Sequence, residues 1–459
     1  MSEIRKNLTS RRGFLKTTGA VAAASVLPSI SFPNVHMQSS GLIQVALVGC
    51  GGRGSGAAVN ALSTKSGPIK LVAMADAFQD RLNSSYKNLT GSMKDKMDVP
   101  AERQFVGFEA YKDAMDCLNP GDIVILTTPP AFRWVHFQYA ISKKLHVFME
   151  KPVTVDGPTS KKMLSLADAA TAANLKVGVG LMSRHSKALI ELQERISNGE
   201  LGEILMMRGY RMHGPAGNSE SIPKPPGMSH LEYQVRRFHS FLWASGGLFS
   251  DFYIHHVDHL CWMKGAWPVS AQAIGARHYK ENAEGIPFID QNFDNYSVEY
   301  TFADGSKFFF DGRCVSGAKG IYSSYVHGTK GMAVAARAND CGGPSSIHKG
   351  QSMDSPMLWQ SDDETNPYQN EWDALVTAIR SNQPFNEVKR GVEASLVSSM
   401  GRMAAHTGQE ITFDQMLNCP HEFAPDVDKL TTDGEAPLAA GSDGRYPVPQ
   451  PGRVTTREF

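Results

Sequence analysis

The chain has 459 residues, 46 basic and 46 acidic side chains, 41% hydrophobic residues and 9% aromatics. That apolar share builds real cores and excludes wholesale disorder. At roughly 100–200 residues per domain, the length predicts two or three domains. A formal charge of zero without any long Lys/Arg run excludes the basic stripe that a nucleic-acid binder sets against phosphates.

The first 40 residues read as an address and linker. Arg11-Arg12-Gly13-Phe14-Leu15-Lys16 precedes a short, weakly hydrophobic stretch that runs through Ala22-Ala23-Ala24 to Pro28. A basic flank, a short apolar segment and small residues describe an export signal, not an anchor. The paired arginines with Phe-Leu-Lys resemble the twin-arginine signal. Cleavage falls either near Ala22–Ala24 or in the polar run Asn34–Ser40. No stretch of about 18 uncharged apolar residues follows, so no membrane span is expected in the mature chain.

The mature chain opens on Leu42–Val48, an apolar, partly β-branched run that reads as a buried parallel strand. It leads into Gly49-Cys50-Gly51-Gly52-Arg53-Gly54 and the helical Ser55–Leu62. A second strand, Ile69–Ala75, ends at Asp76. This is the context that a G-x-G-x-x-G dinucleotide loop requires, with glycines admitting a pyrophosphate at a helix N-terminus and an acid on the ribose. The carboxylate favours NAD over NADP, and nearby Arg81 softens that preference. Further strands are Asp122–Thr127, ending in the turn Thr128-Pro129-Pro130; His146–Met149, ending in Glu150-Lys151-Pro152; and Lys176–Leu181. With helices at 132–142 and 160–174 between them, the N-terminal part is a doubly wound parallel α/β sheet.

After residue 200 the pattern changes to longer strands with alternating polarity, over 205–212, 269–277, 296–302 and 306–311. Ala303-Asp304-Gly305 joins the last two as a hairpin. Residues 369–382 and 388–407 read as helices. The tail from Thr431 is rich in Gly and Pro, and is expected to run extended over the surface or to pair with a neighbouring subunit. The six cysteines (Cys50, Cys117, Cys261, Cys314, Cys341, Cys419) are scattered without a CxxC, which argues against a disulfide framework or a structural zinc.

The glycine loop, Glu150-Lys151-Pro152, Leu201-Gly202-Glu203-Ile204, Ser245-Gly246-Gly247, His327-Gly328-Thr329-Lys330-Gly331 and Asn366-Pro367-Tyr368 together resemble the Gfo/Idh/MocA oxidoreductases. The resemblance spans nearly the whole mature chain. It implies an NAD-binding Rossmann domain (41–185), then an α+β substrate and oligomerisation domain with a large open antiparallel sheet (186–430), whose helices at 369–407 return to the Rossmann side, and the tail (431–459). It also implies a homo-oligomer, dimer or tetramer, formed through the open sheet.

By the same resemblance Lys151 hydrogen-bonds the reacting hydroxyl, His255 takes its proton, and Asp251 contacts the substrate or orients the imidazole. Asp251, His255 and Asp258 fit the family's spacing, and a histidine suits proton exchange near neutral pH. Tyr253 stands where the family commonly has glycine, a departure expected to alter the shape of the substrate pocket and to supply either a second acid/base or a stacking surface; Arg184, past a strand end, is expected to bind sugar hydroxyls. Gly49, Gly51, Gly52, Arg53, Gly54, Asp76, Thr128, Pro129, His136, Glu150 and Lys151 are the cofactor-binding candidates. Arg236, Arg237, His239 and Trp243 are candidates for the pocket rim. Asp251, His255 and His259 also repeat at a spacing able to hold a metal, but the family match favours redox chemistry without one; His256 and His259 read as packing or hydrogen-bonding residues.

Export constrains the cofactor. Free NAD is essentially absent outside the cytoplasm, so an exported Rossmann enzyme is expected to carry its dinucleotide tightly bound and recycle it in place. The implied reaction is hydride transfer to or from a CH–OH of a sugar, glycoside or cyclitol. Alternatives are a redox-neutral glycosidase or lyase step, as in glycoside hydrolase family 109, and a catalytically silent carbohydrate-binding protein. The Thr-His-Gly stretch expected of the family 109 enzymes near Asp251-Phe252-Tyr253 is absent.

Overall fold

The computed structural model describes residues 41–278, 281–337, 344–362 and 366–459. The export signal and Cys341 lie outside them. Six strands form the first sheet: β1 (Ile43–Val48), β2 (Ile69–Asp76), β3 (Gln104–Val106), β4 (Ile123–Leu126), β5 (His146–Met149) and β6 (Val177–Val179). Their order is β3-β2-β1-β4-β5-β6, and all neighbours are parallel. Val45, Leu47, Val124, Ile125 and Val147 are fully buried, as strands covered on both faces require. The order reverses between β1 and β4, which opens a crevice at their carboxyl ends.

Nine strands form the second sheet: β7 (Ile204–His213), β8 (Ser270–Ala276), β9 (Asn295–Thr301), β10 (Lys307–Cys314), β11 (Ile321–Gly328), β12 (Gly331–Arg337), β13 (Ser346–His348), β14 (Met357–Gln360) and β15 (Ile411–Thr412). They run in the order β14-β13-β12-β11-β7-β10-β9-β8-β15. The expected antiparallel sheet is in fact mixed, because β7 lies parallel to β10 while every other neighbour is antiparallel. The hairpin turn at 303–305 closes with Gly305 N–H donating to Phe302 O at 2.9 Å.

Two helices pack against these sheets. Trp372 of the helix Pro367–Arg380 stacks on Phe148 of β5, ring centroids 4.5 Å apart. The helix Val388–Thr407 is buried on nearly every side, the signature of an interior helix. Its Gly391 faces Val179 of β6 and its Gly401 faces Tyr300 of β9, so it packs between the two sheets. Among the described residues no helix is long and apolar enough to cross a membrane, and Cys50, Cys117, Cys261, Cys314 and Cys419 are free thiols.

The segment from Thr431 departs from expectation. Much of it is exposed, but Leu438 and Tyr446 join an apolar cluster and Glu458 is buried in the interior. A carboxylate so placed needs partners, and it has them in Arg402 and His406.

Candidate active site

The crevice holds a cavity of about 490 Å³. Its walls include Gly49, Gly51, Gly52, Arg53, Gly54, Asp76, Thr128, Pro129, Glu150, Lys151, His239, Asp251 and His255, so thirteen of the candidate residues converge from six separate segments.

The loop after β1 is fixed by close approach. A Cβ on Gly54 would lie 2.1 Å from Gly49 O, and Gly49 itself has a φ of +98°. Gly51 and Gly52, by contrast, have nothing within 4 Å of where a Cβ would stand. The helix Gly52–Leu62 starts here without a side-chain cap, so its leading N–H groups face the cavity unsatisfied by the helix. The Asp76 carboxylate accepts from Cys50 N–H at 2.6 Å and from Phe78 N–H at 2.9 Å. Burial raises its pKa, while those two N–H groups and Arg81 oppose the rise. Arg53 donates to Glu150 at 2.6 Å and lies 4.7 Å over the Tyr368 ring. Open glycine faces, an uncapped helix start and a ribose-side acid fit an NAD-type dinucleotide.

The opposite wall begins with a π-helical turn, Phe249–Tyr253, leading into the α-helix Ile254–Lys264. Such turns cluster at functional sites. Lys151 Nζ donates to the Asp251 main-chain carbonyl at 2.5 Å and lies 3.5 Å from its carboxylate. The other carboxylate oxygen lies 3.0 Å from His239 Nε2. Burial alone would raise the Asp251 pKa, but Lys151 and His239 outweigh it and hold the group well below the usual carboxylate range. Asp251 is thus an ionised bridge between two donors.

Several candidates fall elsewhere. Tyr253 is fully buried against Phe310 and Gly312 of β10; on the widened turn its ring points into the sheet, so it does not shape the pocket. Arg184 forks onto the buried Asp258, with bonds of 2.8–3.1 Å, which occupies the guanidinium expected to bind sugar. His136 packs at a tilt against Tyr111, with its Nδ1 3.2 Å from Thr128 Oγ1, and lies outside the main cavity. Arg236 pairs with Asp80 and Glu232, Arg237 binds Ser221 and the Glu220 carbonyl, and buried Trp243 donates to Gln234; of the four rim candidates His239 alone lines the cavity. The metal spacing also dissolves, since Asp251 is taken by Lys151 and His239 while His259 Nε2 meets Ser324 at 2.7 Å.

Sequence reasoning missed Arg133, Arg211, Asn218, Phe252 and Tyr368, all of which line the cavity. Arg133 is buried beneath it, donating to the carbonyls of Leu126 and Thr128, and burial lowers its pKa to about 10. Its place in the first turn after Thr128-Pro129 was the available signal. Nothing in their local sequence marks Arg211 or Asn218.

Comparison with known proteins resolves the family. Residues 43–181 match the model of an oxidoreductase family with an NAD-binding Rossmann fold, and residues 189–334 match the GFO/IDH/MocA C-terminal domain. Together these cover well over half the chain. The chain belongs to the Gfo/Idh/MocA family. Residues 9–28 match the signal sequence of the twin-arginine translocation pathway, which directs export. Among curated relatives of this Gfo/Idh/MocA chain, an inositol 2-dehydrogenase of Pseudarthrobacter chlorophenolicus is 27% identical over 43% of this chain and 53% of its own length. One from Corynebacterium glutamicum is 24% identical over 38% and 43%. The chain therefore spans about half the length of these relatives. Among solved structures, an aldose–aldose oxidoreductase of Caulobacter crescentus aligns with a TM-score of 0.60 at 16% identity, over 81% of this chain and 99% of that one. A scyllo-inositol dehydrogenase of Lactobacillus casei with bound NAD(H) and scyllo-inositol gives 0.59 at 18% identity, over 81% and 99%. At these identities the likeness is one of fold.

Proposed function

We propose that this chain is an exported, NAD-dependent oxidoreductase acting on a CH–OH group of a sugar, glycoside or cyclitol. The observation that carries this reading is the convergence of Lys151, Asp251 and His255 on the cavity that also holds the glycine loop and Asp76. The names of the relatives, inositol dehydrogenases and an aldose–aldose oxidoreductase, support the substrate class. When bound, the nicotinamide supplies the hydride acceptor.

In this reading the chain's residues handle the oxygen and its proton. The Lys151 ammonium, anchored by Asp251, donates a hydrogen bond to the reacting hydroxyl and stabilises the negative charge that develops there. His255 accepts the hydroxyl proton as the C–H leaves as hydride, so the alcohol becomes a carbonyl with both hydrogens accounted for. Asp76 selects NAD over NADP by occupying the space of a 2′-phosphate with a carboxylate. Export of a folded chain accounts for a dinucleotide held tightly and re-reduced or re-oxidised in place.

The test is to purify the mature protein without added cofactor, denature it, and identify the released dinucleotide by chromatography. Stoichiometric NAD, and a change in its nicotinamide absorbance when polyols are added to the intact protein, are the expected results. An empty site that neither gains NAD on incubation nor turns over any polyol overturns the proposal.

A further inference from the structure

The buried Glu458 belongs to a network that reaches both catalytic segments. Arg402, on the helix Val388–Thr407, uses every one of its N–H bonds. Nε and one Nη2 hydrogen go to the two Glu458 oxygens at 2.9 and 2.8 Å, and the other Nη2 hydrogen goes to Val155 O at 2.9 Å. Nη1 donates to Gly246 O at 3.1 Å and to Ser250 Oγ at 2.6 Å. Val155 lies four residues beyond Lys151, and Ser250 adjoins Asp251. The second Glu458 contact is His406 Nδ1 at 2.6 Å, whose other ring nitrogen lies 2.9 Å from the Tyr296 hydroxyl. Burial lowers the His406 pKa, so the neutral ring donates to Glu458 and accepts from Tyr296. Burial would raise the Glu458 pKa, but Arg402 and His406 hold it down at about 2.

Arg402, His406 and Glu458 are all at most 2% exposed. The Ser245-Gly246-Gly247 motif acquires a reason here as well. A Cβ on Gly246, whose φ is +74°, would stand 2.6 Å from Arg402 Nη1.

We infer that Glu458 is a positioning residue: through Arg402 it fixes the strand-end segment carrying Lys151 against the turn carrying Asp251. The inference rests on the catalytic roles proposed above for Lys151 and His255. A fully satisfied buried network holds one geometry, because any partial loss leaves a charge unpaired. Misplacing reacting groups by about 1 Å costs as much as roughly a hundredfold in rate. The 431–459 segment is thereby part of the active-site scaffold, although no residue of it lines the main cavity.

The experiment uses the full mature chain with Glu458→Gln, Glu458→Asp and, as a control, Arg457→Ala at the exposed neighbour. Amide hydrogen exchange is measured by segment, and kcat and KM are measured on the polyol that the wild type turns over. Glu458→Gln is expected to speed exchange selectively at 151–158 and 244–258. It is expected to lower kcat roughly tenfold to a hundredfold with KM changed less than about threefold. Glu458→Asp is expected to recover part of both, and Arg457→Ala to change neither. Uniformly faster exchange across the chain with kcat intact, or no change in either segment, overturns the inference. A wild type that turns over no polyol defeats the proposed activity instead, and the exchange pattern still decides whether Glu458 braces the two segments. Should Glu458→Gln fail to fold, Glu458→Asp carries the same comparison.

Discussion

Asp251 and His239 face each other across 3.0 Å at the cavity wall, with Lys151 on the other side of the same carboxylate. Asn218 Oδ1 holds the other ring nitrogen of His239 at 2.8 Å, and its amide nitrogen is fixed on Arg236 O. The carboxylate is therefore set by a loop residue more than thirty positions upstream as well as by its own turn. Replacing His239 by Gln removes one of the two influences that keep the Asp251 pKa low. The expected result is a turnover loss of roughly tenfold to a hundredfold and an acid limb of the kcat–pH profile displaced to higher pH. Asp251→Asn, which leaves Lys151 without its charged anchor, is expected to cost more. Rates of nicotinamide reduction between pH 4 and pH 9 decide both, and an unchanged profile in His239→Gln refutes the coupling.

Gly54→Ala tests the loop. Its methyl group meets Gly49 O at 2.1 Å, backbone against backbone, and neither side is a flexible side chain that yields. The loop must open, which withdraws its N–H groups from the cavity. NAD affinity is expected to fall roughly tenfold or more, about 1.4 kcal/mol, and the purified variant to release less dinucleotide on denaturation. Titration of the stripped protein with NAD measures this without any substrate.

The parts of the site that were legible in sequence are those fixed by local geometry. The glycines of the loop, the acid ending β2, and Glu150 and Lys151 after β5 sit where strand and turn chemistry put them, and all of them line the cavity. What failed was side-chain direction. The spacing of Asp251 and His255 assumes a regular helix, but the π-helical turn at 249–253 widens the backbone and sends Tyr253 into the sheet. Arg184 and Asp258, 74 residues apart, pair through tertiary packing that no local pattern encodes. His239, one of four rim candidates, does line the cavity, but its bridge to Asp251 and the burial of Glu458 come from tertiary packing that their local sequence does not encode.

The Arg184–Asp258 pair predicts a stability phenotype. Asp258 is fully buried and the Arg184 side chain is 11% exposed, so removing either partner strands a charge. Arg184→Met is expected to destabilise the chain by about 3–5 kcal/mol, read as a lower thermal midpoint. Its kcat, measured well below that midpoint, is expected to stay within about threefold of wild type, since the guanidinium does not line the main cavity. A large rise in KM for the polyol with stability intact would restore the sugar-binding role to Arg184.

His136 gives the chain an acid sensitivity with a defined window. Burial, reinforced by the neighbouring Arg133, lowers its pKa to about 3, against roughly 6.5 for an exposed histidine. Between those values the unfolded chain binds a proton that the folded chain refuses, so stability rises with pH. The His136 contribution is therefore fully present above about pH 6.5 and is lost progressively as pH falls toward 3. His146, held down at about 4 by the same cause, adds a second group with the same sign. Replacing His136 by Phe keeps a ring against Tyr111 and removes the titration, at the expense of the contact with Thr128 Oγ1. The variant is expected to unfold at a lower temperature than wild type at pH 7.5, and to lose less of its midpoint between pH 6.5 and pH 4. Parallel midpoint–pH curves for the two proteins would show that His136 is not the titrating group.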